Sequence, residues 1–278
     1  MRYSLSSRFR GTFLGAMLGE KISKQASSQT ATYLVAAIYS LIELGRFEPQ
    51  HWQENLLVAS IPEIAPTIAT LPLALFYHEN EPKLKQNLSA SASIWQNEPI
   101  IQESILSVGY AIAQVLSEKL KPAQLIPHIL SLIETPQTEL SHKLQQVQEL
   151  CAQGASLERT LTQVTTKEAL TTSIALGFYC FLSSQEDFNL TVKRAQHLQQ
   201  PLASAIAGAL SGAYNSAVSI PSSWQAALAT DRNSAEKEVL QLSDSLVAVW
   251  SGVYDYEVHP AELVSKTVVA APRVIRWR

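Results

Sequence analysis

Aspartate is scarce in this chain. Only four occur among 278 residues, at Asp187, Asp231, Asp244 and Asp255, and none precedes residue 187. Cysteine is as thin, with Cys151 and Cys180 alone and no C-x-x-C pair, which fits a reducing compartment and two thiols packed as small apolar groups. Charged residues make up 16% and the formal net charge is −3, so nucleic acid is not an expected partner. Long apolar runs are missing too. Leu56 to Tyr77 is interrupted by Glu63, Pro62, Pro66 and Pro72, and the uncharged stretch Pro201 to Pro221 is mostly Ala, Ser and Gly with Asn215 inside it. Neither resembles the ~20 strongly apolar residues of a membrane span. The opening "MRYSLSSRFRGTFLGAMLGEK" shows no secretory cleavage site before Glu20 and Lys21. These absences predict a cytoplasmic protein without a membrane partner.

What is present is helical periodicity. Ile101, Ile105, Val108, Ile112 and Val115 recur at steps of four and three, on one helix face. Thr30 to Leu44 reads as an apolar helix stopped by Gly45. Thr165 with Glu168, and Asn233 with Glu236, have capping-box spacing ahead of two more helices. Hairpin signals, long linkers and fixed-period repeats are all missing. The expectation is an all-α bundle forming a single domain over residues 1–278, with 271–278 a basic and aromatic tail.

No familiar catalytic motif stands out. His51, His78, His128, His142, His197 and His259 are scattered without an H-E-x-x-H pattern, and there is no G-x-S-x-G elbow or phosphate-cradling loop. "GALSG" from Gly208 to Gly212 has the spacing that lets a neighbouring helix approach closely. The terminal "APRVIRWR" carries Arg273, Arg276 and Trp277, residue types favoured in partner contacts.

Several segments, in order, resemble the ADP-ribosylglycohydrolase family, which includes the dinitrogenase reductase-activating glycohydrolases. "RFRGTFLGAMLGE" is similar to that family's opening helix, with Gly11, Gly15 and Gly19 in step and Glu20 at its aspartate position. "SSQTATYLVAAIYSLIELG" resembles the helix that a Thr-Asp-Asp-Thr element introduces, and "TLPLALFYHEN" its proline-led helix. "ALTTSIALGFYCFLSSQEDF" and "SAIAGALSGAYNSAVSIPSSW" resemble the pair flanking a Gly-x-Asp-Thr-Asp-Thr element, including the exit at Trp224.

The resemblance implies an all-α fold, hydrolysis of ADP-ribosyl conjugates, and a binuclear Mg²⁺ or Mn²⁺ site fed by aspartates from those two elements. Two dications about 4 Å apart repel by roughly 16 kcal/mol in a protein-like dielectric, so clustered carboxylates are required. Here the first element reads Ser27, Ser28, Gln29, Thr30 and the second Gln199, Gln200, Pro201. The degenerate positions are thus Ser28, Gln29, Thr30, Gln199, Gln200 and Pro201, no cofactor is expected, and Glu20 is the residue to carry chemistry if any remains. Glu63, Glu79 and Glu168 share no metal-ligand spacing with it.

Three readings follow. The first is a non-catalytic protein on this fold that acts by binding a small ligand or a protein partner. The second is a divergent glycohydrolase using Glu20. The third is a structural subunit of a larger assembly, served by the Arg273, Arg276 and Trp277 tail.

Overall fold

The computed structural model describes residues 3–24, 30–56, 65–95, 98–118, 121–133, 138–228 and 235–253. Ser28, Gln29, Glu63, Asn233, His259, Arg273, Arg276 and Trp277 lie outside the described residues. The described elements are all helical: α1 (Leu5–Lys24), α2 (Thr30–Leu44), α3 (Pro49–Leu56), α4 (Ala65–Ala69), α5 (Leu71–Phe76), α6 (Glu81–Ala92), α7 (Pro99–Leu116), α8 (Pro122–Leu132), α9 (Glu139–Ala152), α10 (Leu157–Val164), α11 (Ala169–Leu182), α12 (Phe188–His197), α13 (Pro201–Asn215), α14 (Ser222–Leu228) and α15 (Ala235–Ser251). Two short 3-10 turns, Ser93–Trp95 and Ala217–Ser219, complete them. The all-α expectation holds.

The centre is the α1–α13 pair. Gly11, Gly15 and Gly19 of α1 face Gly212, Gly208 and Ser204 of α13, so the two helices run antiparallel. A Cβ on Gly15 would fall inside the carbonyl of Gly208, and one on Gly208 inside the carbonyl of Gly15. The backbones touch because neither residue has a side chain. This is the close approach the G-x-x-x-G spacing predicts.

Helix α11 lies on the other side of α13 and parallel to it, since Ser173 meets Gln200 and Gly177 meets Ala203 and Ile206. Helix α7 packs against α4, α5, α6, α8, α9, α11 and α13. It is long and apolar enough to cross a membrane by length and composition, yet 78% of it is buried inside the protein. Ile105, Val108 and Ile112, placed on one face by their spacing, are fully buried.

Arg8 ties this core together. Its guanidinium donates to Val115 O (2.7 Å), Leu116 O (3.0 Å) and Ala213 O (2.9 Å), serving carbonyls at the C-terminal ends of α7 and α13. A cation is well placed there, where helix dipoles leave partial negative charge. Burial pulls the Arg8 pKa below its ordinary value, and the nearby Glu118 carboxylate pushes it back.

Local start and stop signals were right at some ends and wrong at others. Helix α2 spans Thr30–Leu44 as expected, and Gly45 follows at φ +60° with its N–H on Leu41 O. The Thr165–Glu168 capping box does not form. Thr165 ends α10, its hydroxyl donating back to Leu161 O at 2.6 Å, and α11 begins only after Glu168. Thr166 takes the local work instead, its hydroxyl oxygen accepting from the Glu168 N–H. Cys180 is buried as expected, whereas Cys151 is partly accessible.

Candidate functional site

The antiparallel α1–α13 pairing sets the end of α1 beside the start of α13. Gly19 lies against Ser204, one helical turn into α13 from Gln200, whose carbonyl accepts the Ser204 N–H at 3.0 Å. Glu20 is the next residue of α1 and is only 8% exposed. Its Oε2 accepts the backbone N–H of Thr30, the first residue of α2, at 3.2 Å. The end of α1 therefore lies beside the first turn of α13 and is joined to the start of α2 through a buried carboxylate. Of the expected positions, the structure joins Glu20 to Thr30 directly, while Gln200 and Pro201 open α13 with the Gln200 amide turned to Ser173 of α11.

Each of the late positions has a local structural task. Gln199 is exposed and adopts φ +53°, and its N–H closes the end of α12 on Gln196 O at 3.1 Å. Gln200 precedes the helix in extended backbone and makes no side-chain cap; its Oε1 accepts the Ser173 hydroxyl of α11 at 3.2 Å. Pro201 opens α13, where its missing N–H costs no intrahelical bond. Ser204 keeps a buried hydroxyl with no hydrogen-bond partner.

Tyr33, one turn into α2, is buried, and burial followed by the neighbouring Glu20 charge pushes its hydroxyl pKa up. The sequence reading missed Tyr33 and Ser173. Ser173 was within reach, because it sits four residues before Gly177 and so shares the face that meets α13.

The other acidic and histidine candidates lie elsewhere. Glu79 is exposed, and Glu168 accepts the Thr171 hydroxyl at 2.9 Å. His128, His142 and His197 are exposed. His78 is buried beside Trp250, its Nδ1 2.7 Å from Leu75 O. His51 links Ser40 Oγ (2.7 Å) to Glu43 (3.3 Å), a serine–histidine–acid row on α2 and α3. That row is not a nucleophile site, because Ser40 is fully buried in mid-helix. Among the described residues no group of three or more His, Cys, Asp or Glu is placed to hold a metal ion.

With this geometry in hand, comparison with known proteins is decisive for the family. The ADP-ribosylglycohydrolase family model matches residues 35–255. The chain belongs to the ADP-ribosylglycohydrolase family. Within this ADP-ribosylglycohydrolase-like chain the matched span takes in Gln199, Gln200 and Pro201, while Glu20 and Thr30 fall before it. A solved structure described as an ADP-ribosylglycohydrolase-related protein complex superposes with a TM-score of 0.60, covering 88% of this chain and 99% of that one at 19% identity. At that identity the likeness concerns the fold. No curated protein matches the sequence.

Proposed function

We propose that this ADP-ribosylglycohydrolase-family chain is non-catalytic and acts by binding a small ligand or a protein partner. The observation that carries the reading is the donor set at the end of α1 and the starts of α2 and α13. Of the expected positions among the described residues, Glu20 alone is a carboxylate, and it already accepts the Thr30 N–H. Gln200 offers an amide oxygen that Ser173 occupies, and Pro201 offers no side-chain ligand. Ser28 and Gln29 are neutral by sequence. A single negative charge does not offset two dications, so the described residues there do not fit a Mg²⁺ or Mn²⁺ pair.

Without that electrostatic stabilisation the family's hydrolysis loses several kcal/mol of barrier lowering. A loss on the order of 5 kcal/mol slows turnover about 10³- to 10⁴-fold. The test is incubation of purified protein with peptides ADP-ribosylated on arginine or serine, with and without Mn²⁺. The expected result is no enzyme-like release of ADP-ribose. Release that disappears in Glu20→Gln would establish the divergent-glycohydrolase reading instead.

The burial of Glu20 against the start of α2 is what favours that second reading. A third, subunit reading draws on the description of the structural neighbour as a protein complex. Native mass measurement from cell extract tests it, with a stable assembly containing this chain as its supporting result.

A further inference from the structure

In a chain without metal chemistry, a buried Glu20 calls for another task. We infer that Glu20 is an inter-helix cap, which fastens the start of α2 to the end of α1. This deepens the non-catalytic reading by giving a structural task to Glu20, the acidic residue among the expected positions that the structure describes.

A helix begins with backbone N–H groups that have no carbonyl partner inside the helix. The usual remedy is a side chain just before the first turn, accepting one of those bonds. Here a carboxylate on another helix accepts one such N–H. Glu20 Oε2 takes the Thr30 N–H, and α2 has no acidic residue in its own first turn. The carboxylate also faces the positive end of the α2 dipole, which favours it further. Glu20 is 8% exposed and Thr30 6%, so water competes poorly for either group.

The same device occurs a second time. Glu103 of α7 is 4% exposed and accepts the Thr138 N–H (3.1 Å), the Thr138 hydroxyl (2.5 Å) and the Ser141 hydroxyl (3.2 Å). Thr138 is the residue that precedes α9, and Ser141 lies in its first turn. In both places a buried glutamate on one helix satisfies the opening of another.

The experiment pairs amide hydrogen exchange with thermal unfolding for Glu20→Met and Glu20→Gln, alongside Glu103→Gln. Methionine removes the acceptor while keeping bulk, whereas glutamine keeps an oxygen and loses the charge. The expected result is exchange at the Thr30 amide roughly tenfold faster or more in Glu20→Met, with glutamine intermediate. Melting should fall by about 3–8 °C in the methionine variant. Thr30→Pro removes the N–H that donates to Glu20. In that background Glu20→Met should lose at least about half of its effect on melting, as a shared interaction requires.

Unchanged Thr30 exchange in Glu20→Met, or an equal melting loss with and without Thr30→Pro, overturns the inference. Neither result bears on catalysis, which wild-type release of ADP-ribose decides separately.

Discussion

Cys151 and Cys180 show how burial governs a single side chain. Burial pushes the Cys180 thiol up to about 12 and Cys151 to about 11, with Arg194 pulling both partly back. The ordinary value is 9.0, so between pH 9 and 11 the unfolded chain ionises thiols that the folded chain keeps protonated. The unfolded state then binds fewer protons, and stability falls as pH rises. That contribution is fully present below pH 9 and is lost as pH climbs through the folded values. Urea unfolding from pH 8 to 10.5 should show this decline, and Cys151→Ala with Cys180→Ala should flatten it. In the native protein at neutral pH, both thiols should react with alkylating reagents far more slowly than in urea.

Between elements, the contact that matters most is backbone against backbone. Gly15 and Gly208 each exclude a Cβ because the other's carbonyl stands there. Backbone cannot rotate away as a flexible side chain can, so overpacking must separate α1 from α13. Gly208→Ala should therefore cost about 3 kcal/mol or more, or prevent folding, as read by urea denaturation. Gly154, with open space around its Cβ position but φ +61°, makes the contrasting case. There alanine should cost only the backbone strain, about 1–2 kcal/mol. The Gly208–Gly212 spacing in α13 was legible as a helix-approach signal, but not that its partner is the Gly11, Gly15 and Gly19 stripe of α1. The start of α11 was misread because Thr165 and Thr166 both carry a hydroxyl suited to capping, and the competing bond to Leu161 O is set by where α10 ends.

For the molecule as a whole, charge supply is the governing quantity. Asp187 and Asp244, the described aspartates, cap the Leu190 N–H and bind Ser6 and Arg10 respectively. Both are committed away from the end of α1 and the starts of α2 and α13. A ligand that binds only the folded state raises its melting temperature by mass action. Millimolar Mn²⁺ or Mg²⁺ should accordingly leave the melting temperature of this protein within about 1 °C, as measured by scanning calorimetry. A rise of several degrees, abolished by Glu20→Gln, would show a metal site that the donor set argues against.

Composition and periodicity by themselves determined the all-α class, the helix of Thr30 to Leu44, the stop at Gly45 and the neutrality of the stretches Ser27 to Thr30 and Gln199 to Leu202. These are local properties, set by side-chain spacing, by one residue's φ and by residue identity. Tertiary structure alone decided that Glu20 meets the Thr30 N–H, that Ser173 holds Gln200, and that Gly15 lies on Gly208. A helix face announces that it will be buried, but many faces are chemically alike. Which one it meets depends on shape across the whole core, where residues nearly two hundred positions apart come into contact.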